Sequence, residues 1–178
     1  DTTFAPFEFE NADGEFVGID IDIMKAIAED QGFDIEIQSL GFNAALQAVT
    51  AGQADGMIAG MSITDDRKEV FDFSEPYFDS GVVMAIGKNN NDIKSYEDLA
   101  GKKVAVKVGT EGETFASSIA EKYGFTMDVY DDSNSMYQAV LSGNAVACFE
   151  DYPVVGYAIT QGIELKLVTE KEQGSSYG

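Results

Sequence analysis

The chain has 178 residues, 44% of them hydrophobic, which is enough apolar material for one large domain or two small ones. Its formal net charge of −21 argues against nucleic acid and against anionic membrane surfaces as partners. The absence of histidine removes the common general base, the Ser-His-Asp triad and most zinc sites, so neither that catalysis nor a metal or other cofactor is expected.

An aromatic-rich loop, Asp1-Thr2-Thr3-Phe4-Ala5-Pro6-Phe7-Glu8-Phe9, opens the chain, and Pro6 excludes a helix interior there. Residues 11–14 read as a turn. A helix is expected from 19 or 20 to 31, with Ile19, Ile23, Met24, Ile27 and Ala28 on one face and Gly32 past its end. Asp20 and Asp22 read as acids of its first turn, because the ligand ladder and terminal Glu of a calcium loop are missing. Phe33, Ile35 and Ile37 alternate with polar residues, as in a strand with one buried face. A helix over 43–51 stops at Gly52, and a strand follows through Met57 and Ile58. A short helix from 65 to about 70 precedes strand-like material at 81–86.

After the polar loop at 88–92, the reading gives a short capped helix from Ser95, a strand over 103–108 and a helix from the tight turn Gly109-Thr110-Glu111-Gly112 to Tyr123. A strand over 126–130 and a helix capped by Ser133 come next. Cys148, the single cysteine, lies in the apolar strand 145–149 and reads as a buried small hydrophobe. Asp151 caps another helix, with Pro153 in its first turn, and 165–168 forms a last strand. Strand and helix alternate throughout, which is the pattern of an α/β protein with mainly parallel sheets. No apolar run approaches the ~18 residues of a membrane span. No apolar leader is present, which leaves a cytosolic protein or a processed form. The acid is spread along the chain and reads as a solvated surface, for which a salt-adapted source is one cause.

Arg67, the only arginine, breaks a local rule. Thr64 reads as a helix N-cap with Asp65 and Asp66 behind it. The favoured residue three after the cap is Glu or Gln, yet here a cation opposes the helix dipole. It is either a bidentate clamp for a carboxylate, helped by backbone N–H groups, or a surface arginine paired with Asp65 or Asp66. An internal repeat bears on the choice. Gln47-Ala48-Val49-Thr50-Ala51-Gly52-Gln53-Ala54 matches Gln138-Ala139-Val140-Leu141-Ser142-Gly143-Asn144-Ala145, from 47 to 138, an offset of 91 residues. These are two ordinary helix-to-strand joints or the mark of two similar α/β lobes. In the second case the offset aligns Gly60 with Asp151, and the carboxyl ends of strands in both lobes face one cleft. Arg67 on one wall and Asp151 on the other suit a carboxylate and an ammonium, so an α-amino acid is the simplest ligand. Ser62 and the Gly60 carbonyl add polar contacts. Phe4 and Phe42 are hydrophobic plugs or ligand walls. The Gly109–Gly112 turn is no phosphate loop, but it presents N–H groups at a helix start.

The opening loop, the run from Ala59 to Arg67, Phe71-Asp72-Phe73-Ser74 with Tyr77, Lys107-Val108-Gly109-Thr110 and Glu150-Asp151 carry a family resemblance. The chain resembles, over its whole length and in unbroken order, the polar amino-acid-binding proteins of ABC importers, most closely the glutamine-binding members. The resemblance implies a two-lobe type II binding-protein fold, each lobe a mostly parallel sheet flanked by helices, closing by a hinge. Lobe one would be 1–84, lobe two 85–174, with hinge strands at about 81–88 and 175–178. It also implies an exported, periplasmic or cell-surface protein, monomeric and not an enzyme, that delivers its ligand to a membrane permease.

Residue by residue, the resemblance has Arg67 bind the α-carboxylate and Asp151 the ammonium. Gly60 and Ser62, with Met61 between them, meet the ligand's backbone groups, and Phe4 and Phe42 sandwich its aliphatic part. Thr110 and Glu111 give N–H groups, while Asp1 and Lys107 read the side chain. A carboxylate plus an ammonium suits an amide, so glutamine is favoured over arginine and glutamate. Glu150 and Glu111 depart from the pattern and add negative charge. A first strand before Asp1 and a last return to lobe one are missing against the pattern, so a fragment or a partly ordered chain is expected. A cyclohexadienyl dehydratase-like enzyme is the rival of another class; it would need an acid in the cleft, from Glu150 or Glu111. A sensor domain or a domain fused to a permease is a third possibility.

Overall fold

The computed structural model describes residues 3–178. Asp1, expected to read the ligand's side chain, lies outside the described residues. The elements fall into two groups. The first holds a three-stranded antiparallel sheet of β1 (Thr3–Phe4), β2 (Glu8–Glu10) and β3 (Phe16–Val17), followed by α1 (Ile19–Gln31), α2 (Phe42–Thr50) and α3 (Asp65–Lys68). The second is built on a six-stranded sheet. It comprises β4 (Phe78–Gly87), β5 (Lys103–Lys107), α4 (Glu111–Tyr123), β6 (Thr126–Tyr130), α5 (Ser133–Leu141), β7 (Ala147–Asp151), α6 (Tyr152–Thr160), β8 (Leu165–Leu167) and β9 (Glu172–Tyr177).

The order in that sheet is β6-β5-β7-β4-β8, with β9 also pairing β4. β5 runs parallel to β6 and β7, as the strand–helix alternation predicts, while β4 is antiparallel to β7, β8 and β9. β4 is buried from Ser80 to Ile86 because it is covered on both faces. On one face Met84 and Ile86 pack with Val104, Val106, Phe115, Phe125 and Phe149; on the other Val83 and Ala85 pack with Met136, Val140 and Val155. This double burial explains the near-continuous apolar run. The Cys148 side chain is fully buried there, and burial pushes its thiol pKa up, so it packs as a small apolar group.

Helix boundaries agree with the sequence to within about two residues, because caps and glycine stops are local signals. Four expectations are corrected. The alternating segment at 33–38 forms no ladder, and Phe33 and Ile37 are 45% and 36% exposed. The expected strand through Met57 and Ile58 likewise has no ladder partner among the described residues. Ser133 is the first residue of α5 and not its cap; Asp132 caps it, accepting from the Ser135 N–H at 2.8 Å. The buried face of α1 is also rotated from the one expected: Asp20 and Ile21 are buried while Ile27 is 43% exposed. The cause is tertiary, since the Asp20 N–H bonds the Phe7 carbonyl and its carboxyl bonds the first group's central loop.

β4 and β9 stitch the two groups together. The Tyr77 N–H meets the Tyr177 carbonyl at 2.9 Å, the Ile63 N–H meets the Ser176 carbonyl at 2.8 Å, and Gly178 N–H meets the Met61 carbonyl at 3.1 Å. No described helix is long and apolar enough to cross a membrane.

Candidate functional site

Between the two groups lies a cavity lined by Phe4, Phe42, Gly60, Ser62, Arg67, Lys107, Thr110, Glu111 and Asp151. The cavity is small, about 10 Å³, and partly open to solvent. These nine are residues singled out from the sequence. Met61 packs with Phe42 and Ala59 instead of lining the space, and Glu150 lies behind the wall, 2% exposed. Phe4 ends β1 and Phe42 begins α2, so neither sits in the loop expected for it.

On the first wall, Thr64 caps α3 by accepting the Arg67 N–H at 3.2 Å. That cap fixes where the Arg67 side chain starts. Its guanidinium donates to the Ser62 carbonyl at 2.8 Å and, across the gap, to the Gly109 carbonyl at 3.0 Å. Glu111 stands 3.7 Å away, and the Phe42 ring centroid lies 5.4 Å from the guanidinium carbon. Burial lowers the Arg67 pKa, and the Glu111 and Asp151 charges oppose that. The alternative of a surface pair with Asp65 or Asp66 is not what forms; Asp65 pairs with Lys68.

Gly60 has a backbone φ of +53°, and a Cβ there would stand 2.4 Å from the Phe4 ring. Only glycine allows this loop to lie against Phe4. Its N–H donates to the Asp20 carboxyl at 2.7 Å, and the Tyr77 hydroxyl donates to the other oxygen at 2.8 Å. Glu8, 4% exposed, is buried beside Asp20. Neither Glu8 oxygen has a hydrogen-bond partner among the described residues, so nothing there offsets the cost of burying its charge. Burial first, then the Asp20 charge, holds the Glu8 pKa well above the ordinary range; burial raises that of Asp20 also. Asp20 is thus a buried brace for the loop and not merely a first-turn acid.

On the second wall, Thr110 caps α4 and donates to the Lys107 carbonyl at 2.7 Å. Gly112 lets this helix start press on β7, since a Cβ there would meet the Phe149 carbonyl oxygen at 2.6 Å. The first N–H groups of a helix have no intrahelical acceptor, and Thr110 and Glu111 at the start of α4 line the cavity. Asp151 ends β7 at the N-cap of α6, but its side chain makes no cap bond. It accepts from the Tyr177 hydroxyl at 2.7 Å, and the Ser80 hydroxyl meets Tyr177 at 3.1 Å. Burial, then the Glu150 charge, pushes the Asp151 pKa up to about 7. An added ammonium would hold it ionised. Tyr177 and Ser133 were not singled out as site residues. Their segments are readable as a strand crossing and a helix start, but the reach of each hydroxyl is not.

Lys107, 1% exposed, brings its ammonium to 4.1 Å from the Phe4 ring centroid and 6.0 Å from that of Phe42. A guanidinium on the first wall, an ammonium and a carboxylate on the second, and two aromatic rings beside them suit a small zwitterion with an aliphatic middle. Among the described residues no group of His, Cys, Asp and Glu could hold a metal ion.

Residues 1–143 match the model of the bacterial extracellular solute-binding proteins, family 3. The chain belongs to that family. The arginine-binding extracellular protein ArtP of Bacillus subtilis is 31% identical over 178 residues, covering 97% of this chain and 69% of that protein. Other curated relatives are matched over only 45–58% of their length. Among solved structures, an ancestral arginine-binding protein, determined bound to arginine and bound to glutamine, is 37% identical with a TM-score of 0.92, covering 100% of this chain and 80% and 79% of those chains. The second substrate-binding domain of Lactococcus lactis GlnP, in its open conformation, is 41% identical with a TM-score of 0.58, covering 99% of this chain and 78% of that one. The fold is accordingly the mixed α/β, type II kind shared by solute-binding proteins.

Proposed function

We propose that the protein captures a free L-amino acid, glutamine in preference to arginine or glutamate, and delivers it to an ABC transporter permease. It works outside the cytoplasm, as a monomer, with no cofactor and no turnover. The chain works as two lobes, 1–84 and 85–174, hinged at about 81–88 and 175–178, where β4 and β9 run. The family supports the setting. The motion is supported by superposition: the chain fits the liganded ancestral protein better than it fits GlnP's open domain, whose sequence is more similar.

The carrying observation is that Arg67, Asp151 and Lys107 converge on one cavity. Arg67 and the start of α4 take the α-carboxylate, and Asp151, held by Tyr177, takes the ammonium. Phe4 and Phe42 cover the methylenes. The remaining end meets Lys107, whose ammonium donates to an amide oxygen and repels a guanidinium or a second ammonium. Arginine is the second reading, favoured by the acids Glu111 and Glu150 and by the ligand named for ArtP.

A calorimetric panel of glutamine, glutamate, asparagine, arginine, lysine and histidine tests this. Glutamine is expected to bind best, at micromolar affinity or tighter. Binding is expected to vanish in Arg67→Ala, which leaves a buried carboxylate unpaired at a cost of about 3–5 kcal/mol. Arginine as the best ligand would overturn the glutamine reading. Turnover of prephenate or arogenate would overturn the non-enzymatic one.

A further inference from the structure

Lys107 does not stand alone behind the cavity. Its ammonium lies 3.1 Å from the Ser133 hydroxyl, which lies 2.7 Å from Glu150 Oε2. An ammonium only donates and a carboxylate only accepts, so the hydroxyl accepts from Lys107 and donates to Glu150. The other Glu150 contacts are also donors: the Tyr137 hydroxyl at 3.4 Å to Oε2 and the Asp151 N–H at 2.9 Å to Oε1. Ser133 and Glu150 are 0% and 2% exposed, and neither lines the cavity, whereas Lys107 does. Three elements, β5, α5 and β7, thus place a fixed negative charge one hydroxyl away from the cation that meets the ligand.

We propose that Glu150, acting through Ser133, sets the charge that the ligand's side chain is allowed to carry. This rests on the reading that an amino-acid side chain ends at Lys107. With Glu150 behind it, Lys107 offers N–H donors without net positive charge. An uncharged carbonyl oxygen is then accepted, while a carboxylate brings a negative charge that nothing balances. Ser133 holds the ammonium and the carboxylate apart, which stops them closing into a direct pair that would turn the donors from the cavity. Glu150 and Ser133 are positioning residues and touch no ligand.

The test is the ratio of affinities for glutamate and glutamine in the wild type, Glu150→Gln and Ser133→Ala, with thermal melting to establish that each variant is folded. The two ligands share their backbone groups, so effects on Arg67 or Asp151 cancel in the ratio. Glu150→Gln keeps the side chain's shape and is expected to move the ratio toward glutamate by about tenfold or more. Ser133→Ala lets Lys107 close onto Glu150 and turn its donors from the cavity, so it is expected to weaken glutamine about tenfold; if Glu150→Gln does not fold, unweakened glutamine binding in Ser133→Ala overturns the proposal. An unchanged ratio in folded Glu150→Gln would overturn it. A wild type that prefers arginine would remove the glutamine reading while leaving this one open to judgement with arginine and its neutral isostere citrulline. Glu150→Gln must then cost arginine about tenfold more than citrulline, and equal losses overturn it. A wild type that binds none of the four overturns both.

Discussion

The two copies of the internal repeat end their helices in the same way and then diverge. After α2, Ala51 is helical at φ −82°, ψ −2°; its N–H bonds the Gln47 carbonyl and the Gly52 N–H bonds that of Val49. After α5, Ser142 has φ −82°, ψ −9°; its N–H bonds the Gln138 carbonyl and the Gly143 N–H bonds that of Val140. Gly52 and Gly143 follow with φ +70° and +80°. Downstream, 147–151 becomes β7, buried throughout between β4 and β5, whereas 53–58 stays outside any ladder and at best half-buried. Like sequences therefore give like helix ends, but a strand forms only where neighbours supply hydrogen-bond partners. Both copies still deliver their next residues, Gly60 and Asp151, to the same cavity.

The largest effect that bears on this contrast is on stability. Phe149, stacked among Tyr96, Phe115 and Phe125, aligns through the repeat with Ile58. Phe149→Ala is expected to cost about 3–5 kcal/mol in urea unfolding. Ile58→Ala, half-buried and outside a ladder, should cost less than half of that; equal losses would break the contrast. Hydrogen exchange sharpens it residue by residue. Amides of 147–151 should open only with global unfolding, and those of 53–58 orders of magnitude sooner.

A smaller effect concerns the buried acids behind each wall. The raised pKa values of Asp151, Glu8 and Asp20 mean that the fold favours their protonated forms. Their stabilising contribution is complete below the ordinary carboxylate range and is lost as pH rises through the raised values, for Asp151 through about 7. The melting temperature of the unliganded protein should fall over that window. Asp151→Asn should remove the second wall's share of the slope and Glu8→Gln the first wall's. A slope unmoved by either variant would refute the assignment. Ligand ammonium needs the Asp151 carboxylate, so binding below about pH 7 should release a proton, read as a calorimetric heat that varies with buffer. The smallest expected effect is from molar salt. It should raise the melting temperature modestly by screening a net charge of −21 spread over both halves; no rise would count against a salt-adapted surface.

The sequence by itself determined the helices, their stops and the alternation that makes the protein α/β, because caps, glycines and periodicity act over a few residues. It also marked Arg67 through a broken capping rule and Asp151 through the repeat. The tertiary structure alone decided which apolar segments became strands, since ladder partners come from far along the chain. It also turned α1 so that Asp20 braces Gly60 and left Ile27 outside. The reading of acids as a solvated surface failed for Glu8 and Asp20, which are buried. Burial of a charge depends on partners such as Tyr77, Ser133 and Tyr177, and no spacing in the sequence announces them.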